Sequence, residues 1–332
     1  MIEKRLRNLI VSGFGADLRC ERGLIKVSQD GRSVRLTPRK LEQVIITGDA
    51  SITSGLVTLL LENNVDLVFI GKGHRFFARV ARADSNFITE LWRKQILMSE
   101  ERRMEFGREI ISCSIYNKTR FLYSLSKNRA RVSFDEHIMK LKEVRAMVRE
   151  AESREVLTGI EGEATRVYFS ALKEVIPPEF GFVKREKHPP PCPVNSMLGY
   201  GYTVLKSRVE YGLLLAGLNP YEGVVHLTYR NRPALSFDLT EVFRQPIVDR
   251  VAITQIVKKQ LHPEDFDFNE DGSCYLCELA KKAFLEALYS RFEDRYTYNG
   301  MRISFLDIIL EEAKRLASAI ENDERYVGFR YR

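Results

Sequence analysis

The chain has 332 residues, 44% of them hydrophobic and 29% charged, and its 52 Lys and Arg against 45 Asp and Glu give a formal net charge of +7. This length and apolar share predict two packed domains, and no apolar run approaches the roughly 18 residues of a membrane span. Five scattered cysteines, an odd number, argue against a disulfide framework and for a reducing cytoplasm.

The opening "MIEKRLRNLIVSGFGADLRC" has early positive charge, but its apolar run is short and broken by glycine, so it does not read as a signal peptide. Short β-branched runs follow, "NLIVSG", "GLIKVS", "SVRLT" and "QVIIT", each bounded by Gly, Asp or Ser, and each predicts a strand. "SGLVTLLLENN" has helical spacing with Ser54 as its N-cap, and "VDLVFIG" returns to strand. The two-glycine fragments "GFG" at Gly13–Gly15 and "GKGH" at Gly71–His74 read as hairpin turns rather than phosphate cradles. From Phe87 to Glu150 the pattern is helical and almost free of Gly and Pro. "LTGIEGEATRVYFSALKEVI" is a further helix, and the proline-rich "IPPEFGFVKREKHPPPCP" is a connection no helix crosses. Helices resume at "VNSMLGYGYTVLKSRVEYGLLLAG", after "LSFDLTE", at "CELAKKAFLEALYSRFE" and at "SFLDIILEEAKRLASAIEND". The predicted fold class is α+β. A small N-terminal β-sheet or sandwich domain, residues 1–85, precedes a large all-α domain, residues 86–332.

Charge is unevenly distributed. Between Arg93 and Arg149 stand fourteen Lys and Arg against seven Asp and Glu, an excess equal to that of the whole chain. Such clustering is either the footprint of a polyanion partner or a solvated helical face.

The residues that carry chemistry are few. Thr158 and Glu161 fit a capping box at a helix start, and Asp238 with Glu241 fits the same D-x-x-E geometry. His226, inside "GVVHLTY", reads singly as a buried, hydrogen-bonded histidine. Together these residues offer more. Asp238 and Glu241 share one helix face, and with His226 and Glu161 they provide three or four ligands for one ion. One imidazole with several carboxylates suits Mn²⁺ or Mg²⁺ better than structural zinc. "CYLC", Cys274 to Cys277, is a lone C-x-x-C at a helix start and lacks the second pair of ligands zinc requires. The sequence contains neither a P-loop nor a G-x-S-x-G elbow.

Four stretches resemble those of a known family, the CRISPR-associated endonuclease/integrase of spacer acquisition, CRISPR-associated protein one. "GIEGEATRVYF" is similar to the family's E-G…Y-F segment. "KREKHPPPCPVNSMLGYGYTVL" is similar to its P-V-N segment, except that Cys192 stands where an aspartate usually precedes Pro-Val-Asn. "HLTYRNRPALSFDLTEVFRQPIVDR" and the closing "YVGFRYR" match two others, in order. The resemblance implies that Glu161, His226 and Glu241 bind the catalytic Mn²⁺ or Mg²⁺, with Asp238 accessory to the metal. Arg166, Tyr168, Asn195 and Arg244 are then candidate contacts to nucleic acid. It implies a homodimer joined through the β domain. It also implies CRISPR-associated protein two as partner and double-stranded and branched DNA as substrate, with attack of a DNA 3′-OH on a phosphodiester. The rival readings are a non-catalytic DNA-binding scaffold of the same fold and a metal-free RNA-binding protein.

Overall fold

In β4 (Leu24–Gln29) Ile25 and Val27 are buried and Lys26 and Ser28 only half covered, because successive side chains of a strand leave on opposite faces. The same rule builds the whole N-terminal segment. The computed structural model describes residues 2–5, 8–11, 14–41, 43–46, 49–70, 76–80, 87–128, 133–186, 189–227 and 232–332. Gly13, the "GKGH" fragment and Arg230 and Asn231 of the turn-like "RNRP" lie outside them.

The chain divides into two compact units, Met1–Glu90 and Leu91–Arg332. In the first, β1 (Ile2–Arg5), β2 (Asn8–Val11), β6 (Gln43–Ile46), β8 (Asp66–Ile70) and β9 (Phe76–Val80) form one sheet in that order. Its three inner strands are parallel and its outer pairs antiparallel. Parallel neighbours need crossover connections. The link from β2 to β6 is a second sheet, made of β3 (Ala16–Glu21), β4 and β5 (Arg32–Leu36), with β7 (Ala50–Ile52) added parallel to β3. Helix α1 (Ser54–Glu62) lies between β7 and β8 in the chain and drives Leu56 and Leu60 into a core shared with Leu9, Leu18, Val44 and Leu67.

This unit holds more strand than the β-branched runs predict. β3 carries Asp17, Arg19 and Glu21, charges that hide its alternation, and Arg19 and Arg35 answer Asp17 and Glu21 across its exposed face. The predicted cap of α1 shifts by one position: Thr53 precedes the helix, with no side-chain bond to its end, and Ser54 is its first residue.

The second unit contains α2 from Leu91 on (the helix spans Phe87–Ile96), α3 (Glu100–Asn128), α4 (Asp135–Met147), α5 (Arg154–Lys173), α6 (Pro193–Leu215) and α7 (Ala234–Phe243). After them come α8 (Arg250–Val257), α9 (Glu278–Glu293) and α10 (Phe305–Glu321). It is not all helix. Two antiparallel hairpins interrupt it, β10 (Phe266–Phe268) with β11 (Cys274–Leu276) and β12 (Arg295–Tyr298) with β13 (Met301–Ser304). Thus "CYLC" is a strand rather than a helix start: Cys274 is buried in β11, and Cys277 sits at the N-terminal boundary of α9. The fold is α+β, strand-rich first and mainly helical afterwards. Among the described residues no helix is long and apolar enough to cross a membrane.

Between α7 and α8 the chain stays helical but widens to a π-helical turn over Arg244–Asp249. Pro246 explains why. It has no N–H to give to the carbonyl four residues back, so Val242 O is free, and Asn117 of α3 donates to it at 2.8 Å. A break in one helix thereby becomes its tie to another. Against the same turn, Gly201 of α6 allows close approach, since a Cβ there would stand 2.4 Å from Val248.

Candidate metal centre

Glu161 lies near the middle of α5, whose start is capped by Ser153 accepting from Val156 N at 3.3 Å. Thr158 is therefore inside the helix rather than at its N-cap. Glu161 faces inward. Thr165, one turn on, donates to its Oε1 at 2.6 Å, and Lys118 Nζ lies 3.4 Å from the same oxygen. Lys118 is itself buried in α3 and donates to Ser114 at 2.8 Å. Burial works against the Glu161 charge, but the Lys118 ammonium, the Thr165 hydroxyl and the Arg244 guanidinium outweigh it, and the carboxyl titrates below its ordinary range. Glu163, two residues away, turns to the surface and pairs with exposed Arg166 at 2.7 Å.

Asp238 is also mid-helix, since α7 begins at Ala234, so the capping-box reading of Asp238 and Glu241 fails. Its buried carboxylate caps something else. Oδ2 accepts from Val224 N at 2.7 Å and Val225 N at 3.0 Å, while Oδ1 accepts from His226 N at 2.9 Å and pairs with His226 Nδ1 at 2.6 Å. A loop with three consecutive amide donors is thus wrapped around one acid, and the imidazole is fixed with Nε2 left for another partner. The Asp238 hydrogen bond raises the His226 pKa against the opposing effect of burial. Gly223 makes the wrap possible: a Cβ there would lie 2.4 Å from His226 O, 2.7 Å from Ala234 Cβ and 3.1 Å from Asp238 Oδ2.

Glu241 is one turn after Asp238 and fully enclosed. Burial raises its pKa, aided by the charge of Glu161 and opposed by Arg244, Lys118 and His226. Arg244 clasps both its oxygens, at 2.6 and 2.8 Å, and lies over the Tyr202 ring at 4.5 Å. The three sequence-predicted ligands thus come from α5, α7 and the loop before α7 into one electrostatic neighbourhood.

Their side chains do not close on one point. Among the described residues no three His, Cys, Asp or Glu groups are arranged to hold an ion. The reason is visible: Lys118 and Arg244 take up the two glutamates. The donor set still fits a hard divalent cation, with two carboxylates beside basic neighbours and an imidazole oriented by Asp238.

Four residues of the site escaped the sequence reading: Lys118, Thr165, Tyr202 and Asp249. Asp249 is buried and accepts from Tyr168 at 2.7 Å and Tyr202 at 2.6 Å. Burial raises its pKa despite both phenols. Tyr168 is 0% exposed, so it props α5 against the π-helical turn instead of meeting a nucleic-acid strand. Asn195 is also buried. It ties Lys184 O, Glu186 N and Arg185 to the start of α6, and donates at 3.4 Å to the sulfur of Cys192. Of the four expected nucleic-acid contacts, Arg166 lies on the surface and Arg244 at the carboxylates.

The family model described as "CRISPR associated protein Cas1" matches residues 9–290. A CRISPR-associated endonuclease Cas1 from Archaeoglobus fulgidus is 33% identical over 340 residues, 97% of this chain and 98% of that protein. Among solved structures, a casposase bound to an integration product superposes with a TM-score of 0.84 at 18% identity, over 98% of this chain and 99% of the other. The partial Cas6-RT-Cas1–Cas2 complex contains a chain with a TM-score of 0.80 at 23% identity, over 97% and 98%. At these identities the two structures bear on the fold alone.

Proposed function

This chain belongs to the Cas1 family of CRISPR-associated proteins, and on that premise we propose that it is a divalent-metal-dependent DNA endonuclease and integrase that inserts short duplexes into a CRISPR array. One observation carries the proposal: buried Glu241 and half-buried Glu161, from separate helices, share an electrostatic site with a histidine whose Nδ1 is already bound by a carboxylate. A purely structural histidine does not call for two further inward acids beside it, each set against a cation.

Glu161, His226 and Glu241 would hold Mn²⁺ or Mg²⁺, which when bound would polarise a phosphodiester oxygen and stabilise the leaving oxygen. The chain's own residues do the rest. Asp238 fixes the imidazole and presents Nε2. Thr165 and Lys118 set the Glu161 carboxylate, and Arg244 brings a guanidinium matched to phosphate oxygens. Arg166, exposed on α5 beside Glu163, would meet the DNA backbone. The names of the relatives and structural neighbours support DNA as substrate and Cas2 as partner. The N-terminal unit, which has a core of its own, is the part assigned to forming a homodimer.

The test is a cleavage and strand-transfer assay on branched DNA with Mn²⁺, Mg²⁺ or EDTA, comparing the wild type with Glu161→Ala. Metal-dependent activity should fall at least about 100-fold in the variant while DNA binding persists. Full activity in the variant would refute the ligand assignment. A wild type that binds DNA but neither cuts nor joins it with any of these ions would favour the scaffold.

A further inference from the structure

The basic excess between Arg93 and Arg149 is not accounted for by the metal centre, where only Lys118 of that segment participates. Five of its fourteen Lys and Arg line a cavity of about 990 Å³ in the helical unit, formed by α3, α4, the short turn after α4 and the segment after α10. Seven Lys and Arg line it against three glutamates, four cations in excess. Two of the glutamates are already engaged, Glu109 by Arg330 at 2.7 Å and Glu105 by Arg102 at 2.5 Å. Among the described residues Lys142, Arg145, Arg149 and Arg325 have no carboxylate partner. Arg145 donates to the Ser112 hydroxyl at 3.0 Å and lies over the Tyr116 ring at 5.1 Å. Burial and the neighbouring Arg330 both disfavour its charge.

This cavity is separate from the metal centre. Glu109 and Lys118 are nine residues apart on α3, which puts them on opposite faces and about 14 Å apart along the axis. A strand lying at Glu161 does not enter the cavity without rounding the helix.

We propose that the cavity is a second nucleic-acid site, which grips backbone phosphates away from the metal centre and without regard to sequence. Lys142 and Arg145 on α4 and Arg149 on the short 3-10 turn that continues it, Val148–Glu150, are spaced i, i+3, i+7, so they form one stripe about 10 Å long. That length covers about three nucleotides of a strand at 3.4 Å each. Guanidinium groups without carboxylate partners suit phosphate oxygens. The aromatic rings of the lining, Phe106 and Tyr326, are 2% and 3% exposed, and so offer no stacking platform for bases. They also offer no accessible aromatic anchor of the kind a protein partner uses. The inference shares with the proposed function the view that the protein handles DNA, but it needs no metal.

Lys142, Arg149 and Arg325 are exposed, so the variant Lys142→Gln/Arg149→Gln/Arg325→Gln should fold as the wild type does, checked by its melting curve. Binding of a 30-base-pair duplex is measured in EDTA over a range of salt. The variant should bind about 10-fold or more weakly at 0.1 M salt, and its log–log salt slope should shrink by about 2 to 3, near 0.9 for each phosphate no longer neutralised. An unchanged affinity and slope overturns the proposal. So does unchanged DNA binding with diminished binding of poly-glutamate, which would make the cavity a docking site for an acidic protein. Because no reaction is read, these results stand whether or not Glu161 proves to be a ligand.

Discussion

Asp238 accepts four hydrogen bonds, three from backbone amides and one from an imidazole. Replacing it by asparagine turns one acceptor atom into a donor aimed at donors, which both loosens the loop and frees the His226 ring. We expect Asp238→Asn to weaken Mn²⁺ binding by about 10- to 100-fold, read by calorimetry on the purified protein; an unchanged affinity would leave Asp238 a loop clasp only. The cysteines give a separate check on the fold. Burial pushes the Cys274 thiol up to about 12, so only about one in 10⁴ is thiolate at pH 8. Brief maleimide treatment of the native protein followed by mass spectrometry should mark exposed Cys20 first and half-covered Cys277 next, leaving Cys113, Cys192 and Cys274 unmarked. Early modification of Cys274 would mean that β11 is not packed as described. At this scale the sequence was a partial guide. His226, Glu161 and Glu241 stood out because their residue types and neighbouring motifs are distinctive. Lys118 did not, although it falls in step with Ile111, Ile115 and Leu122 on the buried face of α3, and a lysine in a core stripe was the available signal. Asp238 and Thr158 both mimicked capping boxes, because D-x-x-E and T-x-x-E occur inside helices as readily as at their starts.

At the scale of elements, one side chain adds a polar tie to the packing of α3 against the end of α7. Asn117 donates to Val242 O at 2.8 Å and to Phe329 O at 3.2 Å, and accepts from Tyr331 N at 2.8 Å. Asn117→Ala leaves three backbone groups without that partner and should cost about 3 kcal/mol or more in urea unfolding. A loss below about 1 kcal/mol would show that water or a shift of the chain replaces the amide. Helix positions were legible from periodicity, whereas the π-helical turn was not. Pro246 announced a disturbance, but only the neighbouring helix reveals whether a freed carbonyl ends the helix or is taken by a side chain. The two hairpins flanking α9 escaped for a related reason: their strands are three or four residues long, too short for alternation to register.

For the molecule as a whole, two units with separate cores make it reasonable to assign pairing and chemistry to different parts. If the N-terminal unit carries the dimer, a chain beginning at Leu91 should sediment as a monomer at concentrations where the full chain is dimeric. A truncated chain that still dimerises would move the interface to the helical unit. In the sequence the change in periodicity after the last predicted strand marks a boundary near residue 85. A surface by which copies would meet is not legible there, since pairing surfaces carry no pattern distinct from ordinary exposed sheet.

The segment after α10 has little regular structure, yet it is stitched to α3 and α10. Phe329 N reaches Glu312, Arg330 reaches Glu109, and Tyr331 N reaches Asn117, the residue beside Lys118. In order of synthesis, Glu161, His226 and Glu241 have all been made by residue 241, whereas the stitch arrives 90 residues later. During translation the candidate acids and histidine are therefore made well before α3 gains these last partners. A growing chain arrested before residue 326 should remain open to protease along α3, and it should close only when those last residues emerge.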